Sequence, residues 1–231
     1  MLKIFEEYKQ ESLKLRDQNG ETPLFLAARL GDPAIFTWFQ GNQQYFKARG
    51  SQNYSGETLE HIVCALKHHK VAEIMKPKPE LRDYSGNLPL FSSIASNDVE
   101  MIQAHFKRGR DYFSIRNYKY ETLFHVAASN DSLEALQQIC GRTVFLEELI
   151  KKDFKGDTPL HAAAKNGSLR VLKYFLESIT RSMLEMQNDF GLSVFEAASQ
   201  KIRMMEEKQM GILKDKAETA GVYDDKLERI R

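Results

Sequence analysis

A phrase of residues comes back six times along this chain, and that recurrence limits what it can fold into more than any other feature. Its fullest form is Asp153-Phe-Lys-Gly156-Asp-Thr-Pro-Leu-His161-Ala-Ala-Ala-Lys-Asn-Gly167, and Asp17-Gln-Asn-Gly20-Glu-Thr-Pro-Leu-Phe25-Leu-Ala-Ala-Arg-Leu-Gly31 repeats it closely. A unit of roughly 33 residues cannot bury its own apolar face, so the copies must stack on one another as a solenoid. Such an array offers an extended binding surface rather than a closed catalytic pocket.

Registered on the glycine of the turn, the copies fall at Gly20, Gly56, Gly86, Tyr120, Gly156 and Gly191. Asp17, Asn53, Asp83, Asn117, Asp153 or Asn188 stands three residues earlier. Asx side chains bond backbone donors in a turn, and glycine takes positive φ at little cost. Each copy therefore opens on a hairpin-like turn, and Tyr120, which breaks the glycine rule, predicts a different loop in the fourth. Thr22, Thr58, Leu88, Thr122, Thr158 or Ser193 follows, with proline next at 23, 89 and 159, which is an N-cap before proline at the first helical position. Small residues at Ala27-Ala28, Ala127-Ala128 and Ala163-Ala164 let the first helix lie close to its neighbours, and a second helix carries apolar residues at helical spacing, as at Val171, Leu172, Phe175 and Leu176.

This pattern of turn, Thr-Pro-Leu-His, helix, glycine turn and helix resembles the ankyrin repeat family over about residues 13–202. The resemblance implies an all-α fold, an ankyrin-type helical repeat solenoid of about six repeats, with short β-hairpin or turn fingers. Repeats are expected to start near 17, 53, 83, 117, 153 and 188, after an N-terminal capping helix over 1–12 and before a charged helix and tail over 203–231. Residues 196–219 read as one long helix that caps the last repeat or leads to a partner. The second copy has lost the proline, which marks an irregular stack or a functional bulge, and Lys76-Pro-Lys-Pro79 shortens the link to the third, a deviation that loop entropy tolerates. Val144–Ile150 is apolar enough to pack as a small extra helix or strand.

The bulk properties narrow the function classes. Lys and Arg number 33 against 32 Asp and Glu, a formal net charge of +1, which removes the simplest argument for a nucleic-acid partner. Glu21, Glu57, Glu121 and Asp157, one residue past the register point, would repel phosphate. Two cysteines are too few to staple a secreted scaffold, and no apolar run approaches a membrane span of about 18 residues. A cytoplasmic location is expected, or the host cytosol if the chain is a secreted bacterial effector.

His61, His125 and His161 share one repeat position, so a structural task at the neighbouring turn fits better than catalysis. Cys64 replaces a small helix residue of other copies and reads as buried packing. No catalytic residue, metal ligand or cofactor site is assigned, and the chain reads as a non-enzyme.

Side chains that the repeat does not dictate carry the binding reading. The residue after the Asx is aromatic in four consecutive copies, Tyr54, Tyr84, Tyr118 and Phe154, and Phe190 nearly continues the row. The residue before it is Arg16, Gln52, Arg82, Arg116, Lys152 or Gln187. Rings beside cations form a recognition strip for an acidic or phosphorylated protein or peptide, or they stabilise adjacent fingers among themselves. In the family, finger tips and the exposed face of the first helix line the concave groove, which adds Arg29, Leu66 and Lys165. The expectation is a protein–protein interaction module, favoured as a monomer. The alternatives are a targeting or regulatory segment of a larger enzyme, or an effector engaging a host protein.

Overall fold

The computed structural model describes residues 14–40, 50–75, 81–109, 111–141 and 145–200. The expected N-terminal cap over 1–12, the connector at 41–49 and the C-terminal helix and tail over 203–231 lie outside these residues. Five helix pairs follow in order: α1 (Pro23–Leu30) with α2 (Pro33–Gln40), α3 (Leu59–Ala65) with α4 (His69–Met75), α5 (Pro89–Ala95) with α6 (Val99–Phe106), α7 (Leu123–Ser129) with α8 (Leu133–Cys140), and α10 (Pro159–Asn166) with α11 (Leu169–Leu176). The apolar segment before the fifth pair forms a short helix, α9 (Phe145–Leu149), and α12 (Arg181–Leu184) follows α11. Residues 194–200 are helical again. Among the described residues no strand occurs, so the fingers are turns and not β-hairpins.

The turns are alike because one side chain organises each. Asp17 Oδ1 accepts the amides of Asn19 (2.9 Å) and Glu21 (2.8 Å). Asn53, Asp83, Asn117, Asp153 and Asn188 accept from the residues two and four further on in the same way. The register residue then turns with positive φ, 71–80° at the five glycines and 61° at Tyr120. Tyr120 still donates its amide to the Asn117 carbonyl at 3.0 Å, as each glycine does to its own Asx. The different loop expected in the fourth copy is therefore not formed: Tyr120 accepts the left-handed conformation, which costs a non-glycine residue about 1 kcal/mol or more.

Helix starts follow the sequence pattern with one informative defect. In the second, fourth and fifth copies the histidine closes a capping box. Nδ1 of His61 accepts the amide of Thr58 at 3.1 Å, and its Nε2 meets the Asn87 carbonyl of the next copy at 3.0 Å. His125 and His161 reach the carbonyls of Asp157 and Leu192 likewise. A neutral imidazole supplies both functions, one nitrogen accepting and the other donating. The sixth copy keeps the device with other residues, since Glu196 Oε2 accepts from the Ser193 amide at 2.8 Å and from its hydroxyl at 2.7 Å. In the first copy Phe25 stands in the histidine position, and the buried Thr22 hydroxyl has no partner among the described residues.

The first helices pack side by side from α1 through α3, α5 and α7 to α10. Their neighbours are close because Ala28, Ala127, Ala128 and Ala163 are buried at the contact. Second helices form the other layer, α2 against α4, α6 against α8, and α8 against α11. Between α4 and α6 this layer is interrupted: the two helices scarcely meet. The apolar core divides at the same place, with Phe25, Phe36, Ile62 and Val71 in one cluster and Leu90, Ile102, Phe124, Leu136 and Phe175 in the other. Met101 of α6 belongs to the first cluster and spans the division. The turns at Gly56 and Gly86 are only 30 residues apart, the shortest interval in the chain, so the irregular stack foreseen in the sequence appears in the second-helix layer.

Ala163 is fully buried at the contact of α10 with α7. Ala163→Leu is expected to lower stability by about 1–3 kcal/mol in urea unfolding, and an unchanged midpoint would remove the close first-helix packing described for α7 and α10.

Candidate partner-binding surface

Each turn is stitched to the one before it through the backbone. The amide of Tyr54 donates to the Asn19 carbonyl at 2.9 Å, Tyr84 to Ser55 at 3.0 Å, Tyr118 to Ser85 at 2.9 Å, Phe154 to Lys119 at 2.8 Å and Asp189 to Lys155 at 3.1 Å. This ladder places the residue after each Asx at one edge of the array in strict succession. Tyr54, Tyr84, Tyr118 and Phe154 are brought together there, each 65–75% exposed. The tyrosine rings lie over the preceding glycines: a Cβ on Gly20, Gly56 or Gly86 would come within 2.4–2.6 Å of a ring atom of Tyr54, Tyr84 or Tyr118. Close approach as well as positive φ therefore selects glycine at these three turns. Phe190 lies outside the row. Asp189 holds the equivalent position in the sixth copy, and Phe190, 68% exposed, stands where other copies carry Asn19, Ser55, Ser85, Lys119 and Lys155.

The cations beside the rings are spent on the scaffold. Arg16 Nη1 donates to the carbonyls of Gly20 and Gln52, both at 2.6 Å. Gln52 donates to Gly56 and Arg82, Arg82 to Gly86 and Arg116, and Arg116 to Tyr120 and Lys152. Lys152 Nζ ends the chain on the Gln187 carbonyl at 2.7 Å. Each side chain thus ties its own turn to the same position of the next copy. Arg116 also lies 5.9 Å from the ring centre of Tyr120, itself 59% exposed.

Charges on the first helices are similarly engaged. Arg29 forms two bonds with Glu21, at 2.8 and 2.5 Å, and these hold the Glu21 carboxyl below its ordinary range against the opposing effect of burial. Lys165 pairs with Asp157 at 2.6 Å. Asn53 and Asn188 of the following copies bond Glu21 and Asp157 in turn. Both acids are buried, whereas Glu57 and Glu121, the other two of the row expected from the sequence, are half-buried and accept from Asn53 and Asn117. Leu66 remains exposed, as does Leu30. Sequence reasoning missed three side chains at this edge. Lys119 and Lys155 are exposed beside Tyr118 and Phe154, without an ion pair among the described residues. Tyr120 was treated as a broken turn and not as a surface ring.

The remaining candidate nucleophiles and bases sit in settings that keep them neutral. Burial pushes the Cys64 thiol up to about 12 and the Cys140 thiol up to about 11. His105 is buried with its Nε2 at 3.5 Å from Cys64 Sγ, and desolvation pulls its pKa down to about 4. Burial likewise lowers the pKa of His125 and His161.

Fold and surface together define a stacked helical repeat protein with a ladder of turn fingers along one edge. Residues 109–188 match the family model of ankyrin repeats in three copies, so this stretch of the chain is an ankyrin-repeat array. No curated protein matches the sequence. Among solved structures the chain is similar to one chain of a Bdellovibrio bacteriovorus predatory endopeptidase, Bd0816, in complex with immunity protein Bd3460. The TM-score is 0.60 at 19% identity, over 82% of this chain and 95% of that one. At this identity the likeness is one of fold. Among the described residues no helix is long and apolar enough to cross a membrane.

Two outcomes follow from these placements. Arg82→Ala is expected to cost about 1–3 kcal/mol, since it removes charge-assisted bonds between copies, whereas Tyr84→Ala costs less than half as much; equal effects on the urea midpoint would contradict the division of labour between cation and ring. His105 generates a pH dependence. Its folded pKa of about 4 lies below the ordinary 6.5, so the unfolded chain takes the proton first as pH falls. Stability is complete above pH 6.5 and is lost on descending to 4, by roughly 3 kcal/mol. His105→Leu should flatten that part of the urea midpoint profile, and a profile identical to that of the unsubstituted protein would assign the acid sensitivity elsewhere.

Proposed function

We propose that the chain is a non-catalytic protein–protein interaction module built of six ankyrin-type repeats, which binds a protein segment along its finger edge. The observation that carries this reading is the row Tyr54, Tyr84, Tyr118 and Phe154, four large exposed rings set one per repeat by the backbone ladder. Tyrosine is enriched at binding hot spots, and a contiguous exposed apolar strip on a soluble protein marks a contact site. The free cations of the strip are Lys119 and Lys155, not the arginines, which are committed to carbonyls. An acidic or phosphorylated partner segment accordingly meets charge over the fourth and fifth copies and aromatic surface over the second to fifth. Leu30 and Leu66 extend the contact onto the first helices.

The neutral thiols and the histidines engaged as structural hooks support a non-catalytic reading. A chain of this fold in an endopeptidase–immunity protein complex accords with a module whose task is to hold another protein.

Affinity capture with the full chain tests the reading. Tyr84→Ala combined with Tyr118→Ala is expected to weaken capture of the bound protein at least about tenfold, as for the loss of hot-spot rings, while helical circular dichroism is retained. Full binding by a folded double variant would reject the strip.

A further inference from the structure

The interrupted second-helix layer leaves a cleft of about 240 Å³ between α4 and α6. It lies in the layer opposite the fingers and is independent of the ring row. From α6 to α8 and from α8 to α11, polar side chains close the seam: Gln103 bonds Gln138 at 3.0 Å, and Glu134 pairs with Arg170. Between α4 and α6 the described residues form such a link at one end, where His69 contacts Asp98 and Glu100, each at 2.7 Å. Burial lowers the affinity of the imidazole for a proton, but the two carboxylates outweigh it and hold its pKa above the ordinary value. Beyond that clasp the cleft stays open, floored by Met101 and flanked by Ala72 and Ala104.

Its charges are arranged by end. Glu100, at the start of α6 and bonded to His69, puts acid at one end, Glu73 follows one turn beyond His69 on α4, and Arg108, past the last turn of α6, puts a cation at the other end. Among the described residues neither Glu73 nor Arg108 has an ion pair. From Glu100 to Arg108, just past the end of α6, eight steps at about the helical rise span about 12 Å, and four steps of extended chain span about 13 Å. We infer that this cleft is a second docking site, for a short extended peptide segment of a partner protein that carries a cation, an apolar anchor two residues on, and an anion two residues beyond that. The cation meets Glu73 and Glu100, the anchor enters between Ala72 and Ala104 onto Met101, and the anion meets Arg108. Complementary charge at both ends fixes the register, and the apolar floor supplies the attraction.

The test uses the whole chain, isotope-labelled, and the probe acetyl-Lys-Ala-Leu-Ala-Glu-amide. Saturable amide shifts are expected at Ala72, Met101 and Ala104. Probes with two lysines, two glutamates, or serine in place of leucine should bind at least about fivefold more weakly. Ala104→Trp, which fills the cleft, should abolish the shifts, and Arg108→Glu should weaken binding about tenfold, a loss typical of a charge-paired contact. Both positions are exposed, and an unchanged Tm confirms the fold. The Tyr84→Ala, Tyr118→Ala protein should bind the probe as the unsubstituted chain does, which separates this site from the finger edge. The inference is overturned if no saturable shift appears at the cleft, if all four probes bind alike, or if folded Ala104→Trp binds the probe undiminished.

Discussion

The structure depends on one short-range interaction used over and over: an Asx side chain that captures the amides two and four residues ahead. It fixes the turn, and the turn aims one amide at the carbonyl of the previous copy. A solenoid needs its units in register, because each buries its apolar face only against a neighbour. Here hydrogen bonds at the edge fix that register together with the helix contacts. The Asx bond is local, so the loop it closes is short and costs little chain entropy.

The second tier of organisation is the row of Arg16, Gln52, Arg82, Arg116 and Lys152, each spanning two carbonyls or, for Lys152, ending on one. Long cationic side chains on a protein edge are easily taken for a binding patch. One nitrogen of each already donates to main-chain oxygen, and releasing it to a ligand would cost the scaffold its ties. What this edge can offer a partner is therefore mainly π-surface, with the two lysines as local exceptions. The same economy operates on the first helices, where Arg29 and Lys165 neutralise buried acids and are not available as free charge.

Much of this was legible in the sequence. The helix pairs, the Asx turns, the structural task of the three matching histidines and the adjacency of Tyr84, Tyr118 and Phe154 all follow from periodicity, because equal letters in a stacked array become neighbours. The errors arose where a residue type was treated as destiny. Tyr120 was taken to alter its turn, but the hydrogen bonds around it are strong enough to hold a non-glycine residue at positive φ. Phe190 was appended to the ring row although it is one position out of phase, and Asp189 makes the ladder bond instead. Partners of charged side chains could not be read at all, since Arg82 reaches a carbonyl 34 residues away. The short interval between Gly56 and Gly86 did carry a signal, and its meaning became visible only as a gap in the second-helix layer.

That gap has a mechanical consequence. A beam with one intact flange and one cut flange bends at the cut. On the finger side the array is continuous, tied by backbone bonds from the first turn to the sixth, whereas on the far side α4 and α6 scarcely meet. The step between Tyr54 and Tyr84 is thus held without second-helix packing, by the turn bond, the contact of α3 with α5, Met101 and the His69 clasp, while the steps that join Tyr84, Tyr118 and Phe154 have both helix layers intact.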